Sequence, residues 1–144
     1  MKITKRFSWA MGHRLTFHKG RCYNRHGHNF EMKVSVEGRV SKNGMVMDFG
    51  ELKEIFNNVV DEPLDHSFMY YEKDILLPGV LEQQKLLERP EKIVIVKFET
   101  TAENISKYLF EKFNHEVIKK TLGRCKVNRV KVYETNSSEA AYYG

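Results

Sequence analysis

Every second residue from Ile3 to Leu15 reads Ile3, Lys5, Phe7, Trp9, Met11, His13, Leu15, and the residues between them are mostly polar or small. Side chains alternate between the two faces of an extended chain, so a repeat of two over this length specifies a strand with one buried face. His13 falls on that largely apolar face. After the loop TFHKGRCYNR, His28, Phe30, Met32, Val34 and Val36 alternate with polar residues up to Gly38. The spacing predicts a second strand, with SKNG as its hairpin turn.

Downstream, Asp48 is placed to cap a helix with Glu51 in its first turn, and Phe49, Leu52, Phe56 and Val59 recur at helical spacing until Pro63. LDHSF is expected to be a loop. Residues 70–92 form a mixed, partly charged stretch, in which Pro78-Gly79 marks a turn and LEQQKLLER a short helix, so an insertion is expected near 72–92. Residues 93–98 make a compact strand. Thr100 and Glu103 then form a capping box ahead of Ile105, Tyr108, Leu109, Phe113 and Val117, the apolar stripe of a long amphipathic helix. Residues 125–135 alternate again, with Val130, Val132 and Glu134 on one side, and AAYY adds a short last strand. This order predicts an α+β domain spanning residues 1–144, an antiparallel sheet with two helices on one face.

At 144 residues, 41% of them hydrophobic, the chain suits one core and leaves little room for a second. No apolar run approaches the ~20 residues of a membrane span, and the N-terminus alternates where a signal peptide would be continuously apolar. A cytoplasmic protein with no membrane partner is expected. Thiols stay reduced there, so the two cysteines, Cys22 and Cys125, are expected to be free. The net charge of +5 would suit nucleic acid, membrane phosphate or a small polyanion, but Lys and Arg are spread as on an ordinary solvated surface.

The chemistry concentrates in CYNRHGHNF. His26 and His28 point to the same side of an extended chain, two steps of ~3.3 Å apart, and Gly27 permits the bend that would turn both toward one ion. With His13 from the neighbouring strand they make three imidazoles with an open fourth position, the donor set of a catalytic zinc site. Each residue alone has a plainer account: His13 as a satisfied core histidine, His-Gly-His as a turn. Cys22, four residues before His26, lacks the second cysteine of a structural zinc site, and beside Arg21 and Arg25 its thiol would be acidified into a proton acceptor. Asp65-His66 would suit a proton relay, although a turn role for Asp65 is at least as good from sequence alone. Glu134, in phase with Val130 and Val132, would be a buried carboxylate that needs a dedicated partner, either paired N–H donors of a ligand or a strand-end salt bridge. The capping box accounts for Glu103.

Six segments in order, WAMGHRL, CYNRHGHNF, MVMDFGELK, PLDHSF, TTAENISKYLF and VYETNSSEAAYYG, make the chain resemble the 6-pyruvoyltetrahydropterin synthase and 6-carboxytetrahydropterin synthase family. The resemblance spans nearly the whole chain, except the stretch near 72–92. It implies the tunnelling fold, in which sheets of several subunits join into a barrel, a hexamer of two stacked trimers, and active sites between subunits. It also implies Zn2+ held by His13, His26 and His28, Cys22 as proton acceptor, Asp65 with His66 as relay, and Glu134 as the anchor of the pterin's amino-pyrimidine edge. Thr101 and Glu103 match residues bordering the pterin pocket. The implied substrate is 7,8-dihydroneopterin triphosphate, whose phosphates would use Lys19, Arg21 and Arg25.

Two departures from the family pattern are NSSEAAYYG, where bacterial relatives often carry a cysteine-containing loop, and Gly12 in place of the usual alanine. The compact Cys-x-x-x-His-Gly-His spacing resembles the carboxy-forming branch, which leads to 7-deazaguanine and queuosine and releases acetaldehyde and triphosphate. The alternative is the pyruvoyl-forming branch, which keeps the three-carbon side chain. A reading from another class, a zinc-stabilised basic module for nucleic acid, needs clustered cations with exposed aromatics. Here the aromatics alternate into strand cores, so no nucleic-acid partner is expected.

Overall fold

The long alternating segments pair with each other. In the computed structural model, which describes residues 1–144, β1 (Lys2–His13) and β2 (His26–Gly38) run antiparallel with Trp9 opposite Phe30, Met11 opposite His28 and His13 opposite His26. The connection between them is the loop of residues 14–25. SKNG instead forms a tight turn, Gly44 N–H donating to Ser41 O at 3.0 Å with Gly44 at φ +82, and hands the chain to a helix. The hairpin expected there is therefore absent, and the strand that β2 answers is β1.

β5 (Cys125–Thr135) pairs antiparallel with the other edge of β2, and β6 (Ser138–Tyr142) with β5. The pairing with β2 shifts between Ser35 and Val36, which leaves Asn128 as an extra residue and re-phases β5. That bulge turns both Val127 and Val130 toward the core, although they are three apart.

The apolar face meets α1 (Phe49–Phe56) and α4 (Ala102–Lys120). Phe30, Met32, Val34, Val130 and Val132 from the sheet bury against Leu52, Ile105, Leu109, Phe113 and Val117 from the helices. Each such side chain contributes roughly 1.5–3 kcal/mol by leaving water. Asp48 caps α1 with the expected capping box through Glu51, whereas Phe49 is 49% exposed instead of in the core. A π-helical turn, Asn57–Asp61, and the short α2 (Glu62–Leu64) follow.

The sheet is mixed, not purely antiparallel. LDHSF was expected as a loop, but β3 (Ser67–Tyr71) begins inside it and runs parallel to β1 at Met11 and Gly12; β4 (Ile93–Val96) lies parallel to β3. The strand order is β4-β3-β1-β2-β5-β6. Parallel neighbours cannot be joined by a tight turn, and the 72–92 stretch supplies the crossover with α3 (Leu77–Gln84). Pro78 opens that helix and Gly79 lies within it, because a proline's missing N–H costs nothing in a first turn. At α4 the cap is Thr101, whose hydroxyl accepts from Asn104 N–H at 3.3 Å, and not Thr100. No helix is long and apolar enough to cross a membrane.

Candidate metal centre and active site

Three imidazoles end the apolar face of the sheet. The alternation that buries Trp9, Met11, Phe30 and Met32 continues to His13, His26 and His28, so the histidines stand in the row of the core side chains. Their ring centroids are 4.6, 5.2 and 4.9 Å apart, and one nitrogen of each lies within 4.8 Å of the others. Phe30 lies against His13 and His28 at 5.5 and 5.3 Å.

His13 Nδ1 is 2.7 Å from Thr100 O and His26 Nδ1 is 2.8 Å from Asn24 O. A carbonyl can only accept, so both rings carry their proton on Nδ1 and leave Nε2 with a lone pair. The Nε2 atoms of all three histidines are buried and unpartnered, which is costly unless something outside the chain satisfies them. Burial, above all, pushes His13 down to about 4, with His26 and His28 adding to it against the pull of the Thr100 carbonyl. His28 is lowered by burial and by His26. Three converging imidazole nitrogens fit a divalent metal of the zinc type.

Glu134, on β5, completes one side of this cluster: Oε1 is 3.7 Å from His13 Nε2. Burial raises its pKa above the usual carboxylate range, with Glu103 adding to the rise and His26 opposing it. Glu134, Thr101 and Glu103 line one cavity of about 280 Å³ with Leu15 and Ala140. Because Thr101 makes the helix cap, the Glu103 carboxylate is not engaged in a capping box and is exposed at this cavity.

On the other side, His66 Nδ1 is 2.6 Å from Asp65 Oδ2. Asp65 Oδ1 accepts from Ala10 N–H at 2.8 Å, and Lys92 Nζ donates to the Asp65 carbonyl at 2.7 Å. Although partial burial pushes the Asp65 carboxyl up, the Ala10 N–H and the His66 ring outweigh it and hold the group below its usual value. His66 sits at φ 56, a left-handed conformation that costs a non-glycine residue roughly 1 kcal/mol or more. The ring borders a cavity of about 600 Å³ together with Arg25, His26, Tyr70 and Lys92.

The family model described as 6-pyruvoyl tetrahydropterin synthase matches residues 2–144. The chain belongs to the 6-pyruvoyl tetrahydropterin synthase family. It is an enzyme, a lyase of the tetrahydropterin synthase type. It is 34% identical to a 6-carboxy-5,6,7,8-tetrahydropterin synthase of Haemophilus influenzae, over 98% of this chain and 97% of that one. Its fold superposes on an uncharacterized protein of Wolinella succinogenes with a TM-score of 0.87 at 28% identity, covering 100% and 98% of the two chains. It also superposes on a 6-pyruvoyl tetrahydropterin synthase of Caenorhabditis elegans with a TM-score of 0.71 at 25% identity, covering 100% and 95% of the two chains.

Within this member of the synthase family the structure brings His13, His26, His28 and Glu134 together, gathers Thr101, Glu103 and Glu134 around one cavity, and sets Asp65 against His66. Cys22 lies in a short 3-10 turn, Arg21–Tyr23, in the loop between the histidine-bearing strand ends, and its sulfur is not a member of the histidine cluster. Of Lys19, Arg21 and Arg25, only Arg25 lines a cavity beside the histidines; Lys92, absent from the expected set, lines it as well. The second layer was not legible in the sequence. Thr100 holds His13 and Glu99 holds Thr16, and neither residue type nor spacing marks such contacts between remote segments.

Proposed function

We propose that this chain is a zinc-dependent 6-carboxy-5,6,7,8-tetrahydropterin synthase, converting 7,8-dihydroneopterin triphosphate and one water to 6-carboxytetrahydropterin, acetaldehyde and triphosphate. The observation that carries the reading is the trio of unpartnered Nε2 atoms with a carboxylate of raised pKa beside one of them. The name of the Haemophilus influenzae relative supports the carboxy-forming branch.

His13, His26 and His28 would hold the metal, which when bound supplies a Lewis acid that acidifies substrate hydroxyls and polarises a carbonyl. Glu134 binds the amino-pyrimidine edge of the pterin, where a carboxylate accepts two N–H bonds side by side. Thr101 and Glu103 wall the same cavity. Cys22 takes a proton from the side chain of the substrate, and His66, oriented by Asp65, returns one. Arg25 faces the triphosphate, with Lys19 and Arg21 nearer its solvent end.

The assembly we propose is a homohexamer whose sheets close into barrels, with active sites completed between subunits. Its physical motive is the sheet's open edges. β1 is paired by β3 only at Met11 and Gly12, and β6 is the last strand of its side. Unpaired strand edges of this length are satisfied by another chain or by water, and a closed barrel removes them.

Purified protein incubated with 7,8-dihydroneopterin triphosphate should release acetaldehyde and yield a pterin whose mass retains one side-chain carbon. A product with all three carbons and no acetaldehyde would move the chain to the pyruvoyl-forming branch, and no turnover by the metal-loaded protein would overturn the reading.

A further inference from the structure

Arg14 follows His13 at the end of β1 and is itself 4% exposed. Its guanidinium lies between two partners. Asp74 brings Oδ2 to 3.2 Å from Arg14 Nε, and the Tyr23 ring centroid is 4.4 Å from the guanidinium carbon. Thr100 Oγ1 donates to the Arg14 carbonyl at 2.9 Å, so backbone and side chain are both held. Asp74 belongs to the crossover between β3 and β4, where its Oδ1 accepts from Leu76 N–H at 2.9 Å and its own N–H donates to Tyr71 O at 3.0 Å. Tyr23 is the neighbour of Cys22 in their short helical turn, and the Cys22 carbonyl accepts from Leu15 N–H at 2.8 Å.

A buried ion pair adds little net stability over apolar residues of the same volume, because desolvation offsets the attraction. Here neither Arg14 Nε nor Asp74 Oδ2 gains an aligned hydrogen bond, which weakens the case for a purely stabilising pair further. What the pair does fix is the place of the guanidinium over the Tyr23 ring, 4.4 Å from its centroid, a contact that the compact charge of lysine would not reproduce.

We propose that Asp74 is a positioning residue: through Arg14 and the Tyr23 ring it sets where the Cys22 thiol stands relative to the three histidines. The crossover of residues 72–92, whose Lys92 already lines the cavity beside His66, thereby acts on the active site through Asp74 as well. The proposal rests on the reading of Cys22 as proton acceptor. A displacement of ~1 Å at a reacting group costs on the order of 100-fold in rate.

The test uses the metal-loaded full chain and four variants, Asp74→Asn, Tyr23→Leu, Tyr23→Phe and Cys22→Ala. Turnover is measured with 7,8-dihydroneopterin triphosphate, and Cys22 alkylation by iodoacetamide is followed by peptide mass; the other cysteine, Cys125, is buried. Asp74→Asn and Tyr23→Leu should lower kcat by about 10–100-fold with KM changed by less than about threefold. Both should change the alkylation rate severalfold at unchanged metal content. Tyr23→Phe, which keeps the ring, should recover both readings. Tyr23 is 43% exposed, so its variants remain informative if Asp74→Asn does not fold. Wild-type kcat and alkylation rate in Tyr23→Leu would overturn the proposal. If Cys22→Ala keeps turnover, the proton-acceptor reading fails separately, and the alkylation rate in Tyr23→Leu alone decides the positioning: a change supports it, no change overturns it.

Discussion

Glu134 Oε1 and His13 Nε2 stand 3.7 Å apart on β5 and β1, two strands with β2 between them. One carboxylate therefore borders both the unpartnered Nε2 of His13 and the cavity shared with Thr101 and Glu103. A charged acceptor in that place is worth roughly 1.5–3 kcal/mol to paired N–H donors. Glu134→Gln should weaken pterin binding by about 10–100-fold with metal content unchanged, as read by fluorescence titration and elemental analysis.

His26→Ala and His28→Ala should each cut bound metal from about one ion per chain to a small fraction of that, measured by elemental analysis after dialysis. Both residues lie at the partly exposed end of β2, so the variants should keep the far-ultraviolet circular dichroism of the parent. Full metal content in either folded variant would show that the cluster is not the site.

Removing the metal with a chelator should abolish turnover and leave the fold in place. The core of Phe30, Leu52, Ile105 and Phe113 is complete without the histidines, unlike small metal-folded domains that are unfolded without their ion. A single cooperative thermal transition should persist in the stripped protein, and its loss would overturn this expectation.

Cys22→Ala should retain metal and pterin binding while losing about 10²–10⁴-fold in kcat, the range of a positioned proton acceptor. Steady-state kinetics with a metal assay on the same sample checks it. Loss of metal in this variant would place the thiol among the ligands.

Asp65 makes acid the condition in which this site loosens. Its carboxyl is held below the usual value chiefly by the Ala10 N–H and the His66 ring, against partial burial. A group depressed in the folded state contributes stability that is fully present above its unfolded pKa of ~3.9 and disappears as pH falls through the folded value. Asp65→Asn should therefore lower the melting temperature at pH 7, and the gap to the parent should close as pH falls below about 4. A gap independent of pH would assign the loss to packing instead.

The sequence by itself determined the repeats of two in β1 and β2, because side-chain alternation is a property of the local backbone. Those repeats already put His13 in the row of Trp9 and Met11, and His28 in the row of Phe30 and Met32. The family motifs, the two main helices and the cap at Asp48 were legible for the same reason: each is written within a few consecutive residues. Tertiary structure decided what pairs with what. LDHSF became the entry to a parallel strand because Ala10 and Asp65, 55 residues apart, share a hydrogen bond. His13 acquired its proton position from Thr100, 87 residues away, which left the neighbouring Thr101 to cap α4. Arg14 and Asp74 met because the 72–92 crossover returns the chain beside the end of β1. Such contacts follow from strand order and register, which the whole core settles at once, and no window of neighbouring residues contains them.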